Sequence, residues 1–498
     1  MTRPSPSRPA RGTGSLSGST PPADPPMSSA ITAVDATTGP ITLGGRTWQR
    51  TTGTVHGVVD PREQVTGLPE LPRDEQGRCS YSAEFEVIAP ADGCDLVLVD
   101  AENRGRPAVL VTVEQFALGS AESSPTAAVY PPGHGTGFLA EHELGYARVQ
   151  WEAGIAAGVP ATAQGIGEVV VRDFGRLLTG RMGDAPEGPE LPRFRSAILA
   201  GISQSAWFVT TLVAEGFNVD PLTGGRTFDA ALAVSGMGNW LAINQLAGEE
   251  EQRPYLLENA VPLGYDQVLT RPDSDPLFVD VATYTDYYRL RASVTAQAPG
   301  GRDVPRYDWP APHAGRTYPD ALVFGLLGCN GGVEVPRNPI SYEPYLRSLL
   351  ADLADALRSG TGTSRLPAPA PFALGPPPAG ASVNDLPGVE LLVPAVDDDT
   401  AQPRGGVRFP DAVVPLGRPL PVALGPVGTS SITDVCGNWG GWEPFTAEEL
   451  EQRYGDVEGY LARYGVAVDE QIGAGYLRAA EREPMLARAR AAYLAAGA

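Results

Sequence analysis

The residue with the clearest chemical use lies in Ala197–Ser205, AILAGISQS. A small apolar stretch of strand length runs into Gly201-Ile202-Ser203-Gln204-Ser205, and a helix-forming segment follows at once. A strand–turn–helix junction of this kind lifts the hydroxyl at its centre to the edge of a sheet, and the first amides of the helix point at it. The turn is tight, so its flanks must be small, and Gly201 and Ser205 are. Ser205 stands where the usual G-x-S-x-G pattern has its last glycine. The pattern alone is therefore a degenerate match, and the context carries the expectation that Ser203 is a nucleophile. The alternative is an ordinary β–α turn.

A serine needs a base, and the base needs a group to orient it. In this arrangement the chain order is serine, acid, histidine. The chain has four histidines, and only His313 follows Ser203. It sits in a Pro-Ala-Pro-His-Ala loop after the expected strand Val304–Trp309; otherwise it is an exposed loop residue. His56 and His142 lie in earlier segments and read as structural. His134 stands in the glycine-rich GHGTG, which resembles the loops that carry oxyanion donors. Asp286 is the expected acid because it falls just past the strand Pro276–Thr283; its other reading is the N-cap of a helix over Tyr287–Ala292. Asp280, inside that strand, is the runner-up, with Asp303 and Asp308 behind it. Two backbone N–H groups must receive the oxyanion. Gln204 follows the nucleophile directly. Arg104 or Gly105 follows the strand Asp95–Asp100, and either donor could instead belong to a plain turn.

These groups need a scaffold. Alternation marks strands at Arg46–Val59 and Tyr81–Ile88. Asp95–Asp100, Tyr146–Trp151, Ser196–Ala200, Phe228–Ser235 and Pro276–Thr283 are compact apolar runs of strand length. Val169–Leu178 and Ser203–Glu215 have helical spacing. Strands alternating with helices give an α/β fold, a mostly parallel sheet covered on both faces. Leu346, Leu349, Leu350, Leu353 and Leu357 form one stripe on a helix over Glu343–Arg358. Residues 360–382 read as a Pro/Gly/Ala-rich linker, 384–424 as short strands and turns, and 446–497 as mostly helical.

With 37 basic and 59 acidic residues the formal charge is −22, and no basic residue is lysine. So acidic a chain is a poor partner for nucleic acid or for an anionic membrane surface. Cys79, Cys94, Cys329 and Cys436 have no C-x-x-C spacing and make no disulfide framework. No metal site or cofactor is expected. No apolar run reaches membrane-helix length, and the first residues lack the apolar core of a signal peptide. Residues 1–34 read as a disordered leader, with Met27 a candidate start, in a cytoplasmic protein.

The segment GISQSAWFVTTLVAEGFNVDPLTGGRTFDAALA resembles a bacterial branch of the α/β-hydrolase superfamily, the "alpha/beta hydrolase domain" proteins, which share a G-x-S-Q-S elbow, a G-F-N segment and G-R-x-F-D at the next strand. Asn103-Arg104-Gly105, Cys329, Arg337-Asn338-Pro339 and Tyr454–Leu477 are similar to further parts of it, so the resemblance spans roughly residues 46–490. Tyr284 stands where the branch often has an acid, and its W-x-G-W pattern is only partly kept in Trp151-Glu152-Ala153-Gly154. The resemblance implies an α/β-hydrolase fold over 35–498, with an N-terminal β segment at 35–94 and a C-terminal extension at 330–498 packed on the core. It also implies a carboxylic ester hydrolase acting on a small molecule through Ser203, His313 and Asp286. An acyltransferase or thioesterase on the same residues, or a non-catalytic binding protein, are the alternatives. The oligomeric state is left open.

Overall fold

The computed structural model describes residues 29–115, 135–247, 261–297, 304–314, 324–325, 328–379, 381, 383, 388–420 and 437–497. Nine strands form the central sheet: β1 (Ala30–Leu43), β2 (Arg46–Val59), β3 (Cys79–Pro90), β4 (Leu96–Asp100), β5 (Gly145–Val149), β6 (Ser196–Ile202), β7 (Ala230–Val234), β8 (Leu277–Thr283) and β9 (Arg306–Trp309). Their order is β1-β2-β3-β5-β4-β6-β7-β8-β9. The first three pairings are antiparallel and the remaining five parallel. The parallel strands are buried along nearly their whole length, which is why they read as continuous apolar runs and not as alternation.

The helices are α1 (Ala108–Glu114), α2 (Phe138–Glu141), α3 (Ile166–Leu178), α4 (Gln204–Ala214), α5 (Tyr265–Val268), α6 (Asp286–Arg289) and α7 (Ala292–Gln297). Then come α8 (Glu343–Ser359), α9 (Pro410–Val413), α10 (Ala447–Tyr454), α11 (Val457–Gly473) and α12 (Arg482–Ala496). One face of the sheet packs on α3 and α4 through Val169, Phe174, Phe208 and Leu212. The other packs on α1, α8 and the C-terminal helices. Leu346, Leu349, Leu350 and Leu353 share a core with Ile198 and Leu232 of the sheet and with Tyr460, Val468 and Met485. The leucine stripe of α8 is thus spent on the sheet, and the C-terminal helices close over α8 in turn.

The expected leader overlaps a strand. Residues 1–28, with Met27, lie outside the described residues, but Ala30–Val34 open β1. β1 pairs with β2 from Ala30↔Val58 to Leu43↔Arg46 across Gly44-Gly45, both with positive φ (52° and 75°). Two residues with φ > 0 are what a two-residue hairpin demands, and glycine meets that demand without strain.

Candidate active site

The nucleophile turn is built by steric exclusion. β6 ends at Ile202, Ser203 adopts φ 62° and ψ −126°, and α4 begins at Gln204. A non-glycine residue there is strained, and such strain is found where the surrounding structure over-determines it. The Ser203 N–H donates to the Val234 carbonyl (2.9 Å), and its own carbonyl accepts from Ala206 (2.8 Å) and Trp207 (3.1 Å). A Cβ on Gly201 would overlap the Ser205 carbonyl, so only glycine fits. Ser205 is a tie that a glycine could not supply. Its hydroxyl donates to the Ile202 carbonyl and accepts from the Ile202 N–H, both at 3.0 Å.

The structure brings Ser203, His313 and Asp286 together. His313 Nε2 lies 2.7 Å from Ser203 Oγ, and His313 Nδ1 lies 2.7 Å from Asp286 Oδ1. A carboxylate only accepts, so Nδ1 carries the proton and Nε2 is left to accept from the serine hydroxyl. His313 is 4% exposed and is held at its backbone, where its N–H donates to Thr285 Oγ1 (2.8 Å). The second Asp286 oxygen accepts from the Thr283 N–H (2.7 Å) at the end of β8. Asp286 does head a helix, the one-turn α6, but its carboxyl faces His313 and the strand end.

The other sequence candidates lie elsewhere. Asp280 is buried in β8, accepting from Tyr265 Oη (2.7 Å) and the Met237 N–H (3.1 Å). Burial holds its carboxyl above the usual range, offset in part by the nearby Arg306. Asp308 accepts from Tyr287 Oη (2.6 Å) and the Phe372 N–H (2.8 Å). His56 pairs with Asp35 on the hairpin, and His142 caps α2 against the Phe138 ring. His134, Asp303 and Cys436 lie outside the described residues.

On the far side of Ser203, Gln204 opens α4, and Arg104 occupies a turn closed by hydrogen bonds between Asn103 and Arg106 in both directions. Arg104 and Gly105 both have positive φ (53° and 73°). Asn103 Nδ2 donates to the Ile202 carbonyl (2.9 Å), which fastens this turn to the nucleophile turn. Glu152, to which the sequence reading gave no task, is here too, 5% exposed and bonded at Oε1 by Gln204 Nε2 (3.1 Å). Its only sequence signal is a carboxylate placed directly after Trp151. Trp151 stacks on Phe208 (3.9 Å between centroids), and its Nε1–H donates to the Glu102 carbonyl (2.9 Å). Trp207, Trp309, Trp439 and Trp442 are likewise buried, and Trp240 is half-buried.

Cys329 is disulfide-bonded, whereas Cys79 and Cys94 are free thiols. Among the described residues, no helix is long and apolar enough to cross a membrane, and no group of three or more His, Cys, Asp or Glu side chains could hold a metal ion.

The model of a family described as "Alpha/beta hydrolase domain" matches residues 144–487. No curated protein matches the chain. Among solved structures, a CE15 glucuronoyl esterase from Teredinibacter turnerae T7901 is 13% identical with a TM-score of 0.27. That match covers 53% of this chain and 63% of the esterase, so this chain spans less than two thirds of that protein. A promiscuous CE15 esterase from the marine bacterial metagenome is 10% identical with a TM-score of 0.26, over 52% of this chain and 68% of its own. A CocE/NonD family hydrolase from Staphylococcus aureus is 10% identical with a TM-score of 0.24, over 51% of this chain and 44% of its own. Likenesses this remote say nothing of this chain's substrate.

Proposed function

Since the chain belongs to the alpha/beta hydrolase domain family, we propose that it is a serine hydrolase that cleaves a small-molecule carboxylic ester through an acyl-enzyme on Ser203. The observation that carries this reading is the pair of 2.7 Å contacts, Ser203 Oγ to His313 Nε2 and His313 Nδ1 to Asp286 Oδ1, made at a strained turn ahead of α4. His313 takes the serine proton as Oγ attacks the ester carbonyl. Asp286 holds the imidazole in the tautomer that can accept it and stabilises the imidazolium. The Gln204 and Arg104 N–H groups receive the charge that develops on the carbonyl oxygen. His313 then returns the proton to the departing alcohol. Water, deprotonated in the same way, releases the acid and restores the serine.

The test is covalent. A fluorophosphonate probe should label the intact protein on the peptide that contains Ser203, as read by tandem mass spectrometry, and Ser203→Ala should take no label. A panel of esters varied in acyl length and aromaticity then reads the substrate preference. Label on another residue, or hydrolysis at the parent rate by Ser203→Ala, would overturn the reading.

A further inference from the structure

Glu152 is the second carboxyl at the nucleophile turn, and the steps above leave it without a task. β5 delivers it. The stacking of Trp151 on Phe208 and the bond from its Nε1–H to the Glu102 carbonyl pin the chain, so that Glu152 turns inward. Its carboxyl accepts from Gln204 Nε2 at 3.1 Å, and the Arg104 N–H and guanidinium lie near enough to favour its charged form. It therefore borders both residues whose amides are proposed to hold the oxyanion. Two buried atoms of the Glu152–Gln204 pair lack a donor: Glu152 Oε2 and Gln204 Oε1. An amide and a carboxylate can make one hydrogen bond between them in one direction only. An amide and a carboxylic acid can make two, because the acid is also a donor.

We propose that Glu152 is a positioning residue that works as the neutral acid: its proton pairs it fully with Gln204, steadies the residue after the nucleophile, and keeps a second negative charge away from the oxyanion. The inference rests on the hydrolase reading of Ser203. The charges that face Glu152 agree with it. Desolvation in the turn dominates, the bond from Gln204 and the Arg104 guanidinium act against it, the Glu102 carboxylate adds to it, and the balance pushes Glu152 up to about 7. An ionised Glu152 would draw the Arg104 N–H to itself and repel the tetrahedral intermediate. A histidine base alone gives a rate that rises with pH and then levels off. With Glu152 in this role the rate should fall again above neutrality.

The experiment compares pH profiles of kcat/KM for a 4-nitrophenyl ester series on the full-length parent, Glu152→Gln and Glu152→Ala. The parent should show a bell with its alkaline limb beginning near neutral pH. Glu152→Gln supplies an N–H donor that does not ionise, so the limb should vanish while the rate at about pH 6 stays within roughly tenfold of the parent. Glu152→Ala should lose about 10²-fold at every pH. An alkaline limb unchanged in Glu152→Gln, or parent-like rates in Glu152→Ala, overturns the proposal. ¹³C NMR titration of Glu-labelled protein reads the acid without catalysis, with Glu152→Gln identifying its signal. A Glu152 signal already ionised at about pH 6 also overturns the proposal. If Ser203 takes no fluorophosphonate label while Glu152 titrates near neutrality, the neutral acid stands and the hydrolase reading alone fails.

Discussion

Two carboxyls flank Ser203, and they are furnished in opposite ways. Asp286 and Glu152 are both buried, 1% and 5% exposed. Asp286 has a donor on each oxygen, the His313 ring on one and the Thr283 N–H on the other. That is a site shaped for an acceptor-only group. Glu152 has the Gln204 amide donating to one oxygen and no donor on the other, and Oε1 of that same amide is likewise without a donor. Burial is shared, so burial does not separate the two. The number and placement of donors does. A carboxylate beside the histidine favours the charge that forms on the imidazole, whereas a carboxylate beside the oxyanion donors would oppose the charge that forms on the substrate.

The largest effect comes from removing the atom that both sides serve. Ser203→Ala should lower kcat about 10⁶-fold with the protein still folded, as read by ester hydrolysis beside circular dichroism. Loss within roughly tenfold would mean that neither carboxyl borders a nucleophile. Next in size is the base side. Asp286→Asn should cost about 10³–10⁴-fold in kcat. Asp280→Asn, in the strand that precedes Asp286, should cost far less activity, because Asp280 answers to Tyr265 and Met237. If Asp280→Asn proves the more damaging with its fold intact, the acid has been misassigned.

The comparison also marks what a sequence can disclose. The parallel strands were legible to within a few residues, most of them because burial on both faces makes them apolar, although β9 carries Arg306 and Asp308. Ser203, Asp286 and His313 were singled out by their places at strand ends, and the structure sets all three within hydrogen-bond distance. The hairpin β1 was not legible. Ala30–Leu43 is rich in Ala and Thr, and its larger apolar residues Ile31, Val34, Ile41 and Leu43 keep no two-residue alternation along its length, so its first residues, Ala30–Val34, read as leader. Gly44-Gly45 was the available signal. Ser205 looked like a defect in the motif, since its two bonds to Ile202 depend on a backbone bend that composition does not disclose. Glu152 was missed for a related reason: its partner Gln204 is 52 positions away.

A smaller effect probes the oxyanion side without touching either carboxyl. Asn103 Nδ2 ties the Arg104 turn to Ile202. Asn103→Ala frees that turn, and a displacement of about 1 Å in a positioning group can cost on the order of 10²-fold. The loss should fall on kcat, with KM for a short ester little changed and Ser203 still labelled by fluorophosphonate. A loss confined to KM would place the Arg104 turn in substrate binding and weaken the parallel drawn between the two sides.

The smallest effect guards the comparison against a confusion of causes. Glu168 and Glu215 lie on α3 and at the end of α4, away from the Ser203–His313–Asp286 contacts, and their carboxyls sit close together beside Asn244, each with one oxygen that has no donor. Desolvation first, then the charge of its neighbour, raises Glu168 well above the ordinary range, and desolvation raises Glu215 as well. A carboxyl raised in the folded state contributes stability that is complete below its unfolded value and lost as pH rises through the folded value. Alkaline pH should therefore weaken the fold here while it titrates Glu152, and both would lower activity. Glu168→Gln removes one of the two charges and keeps a hydrogen-bonding side chain. It should lose less Tm than the parent between about pH 6 and pH 9, by about 2 °C for each kcal/mol of strain relieved. The alkaline limb of kcat/KM, measured at a temperature where both proteins are folded, should stay where it was. A limb that moved with Glu168→Gln would belong to folding and not to the oxyanion side, and the contrast between Asp286 and Glu152 would then lose its functional meaning.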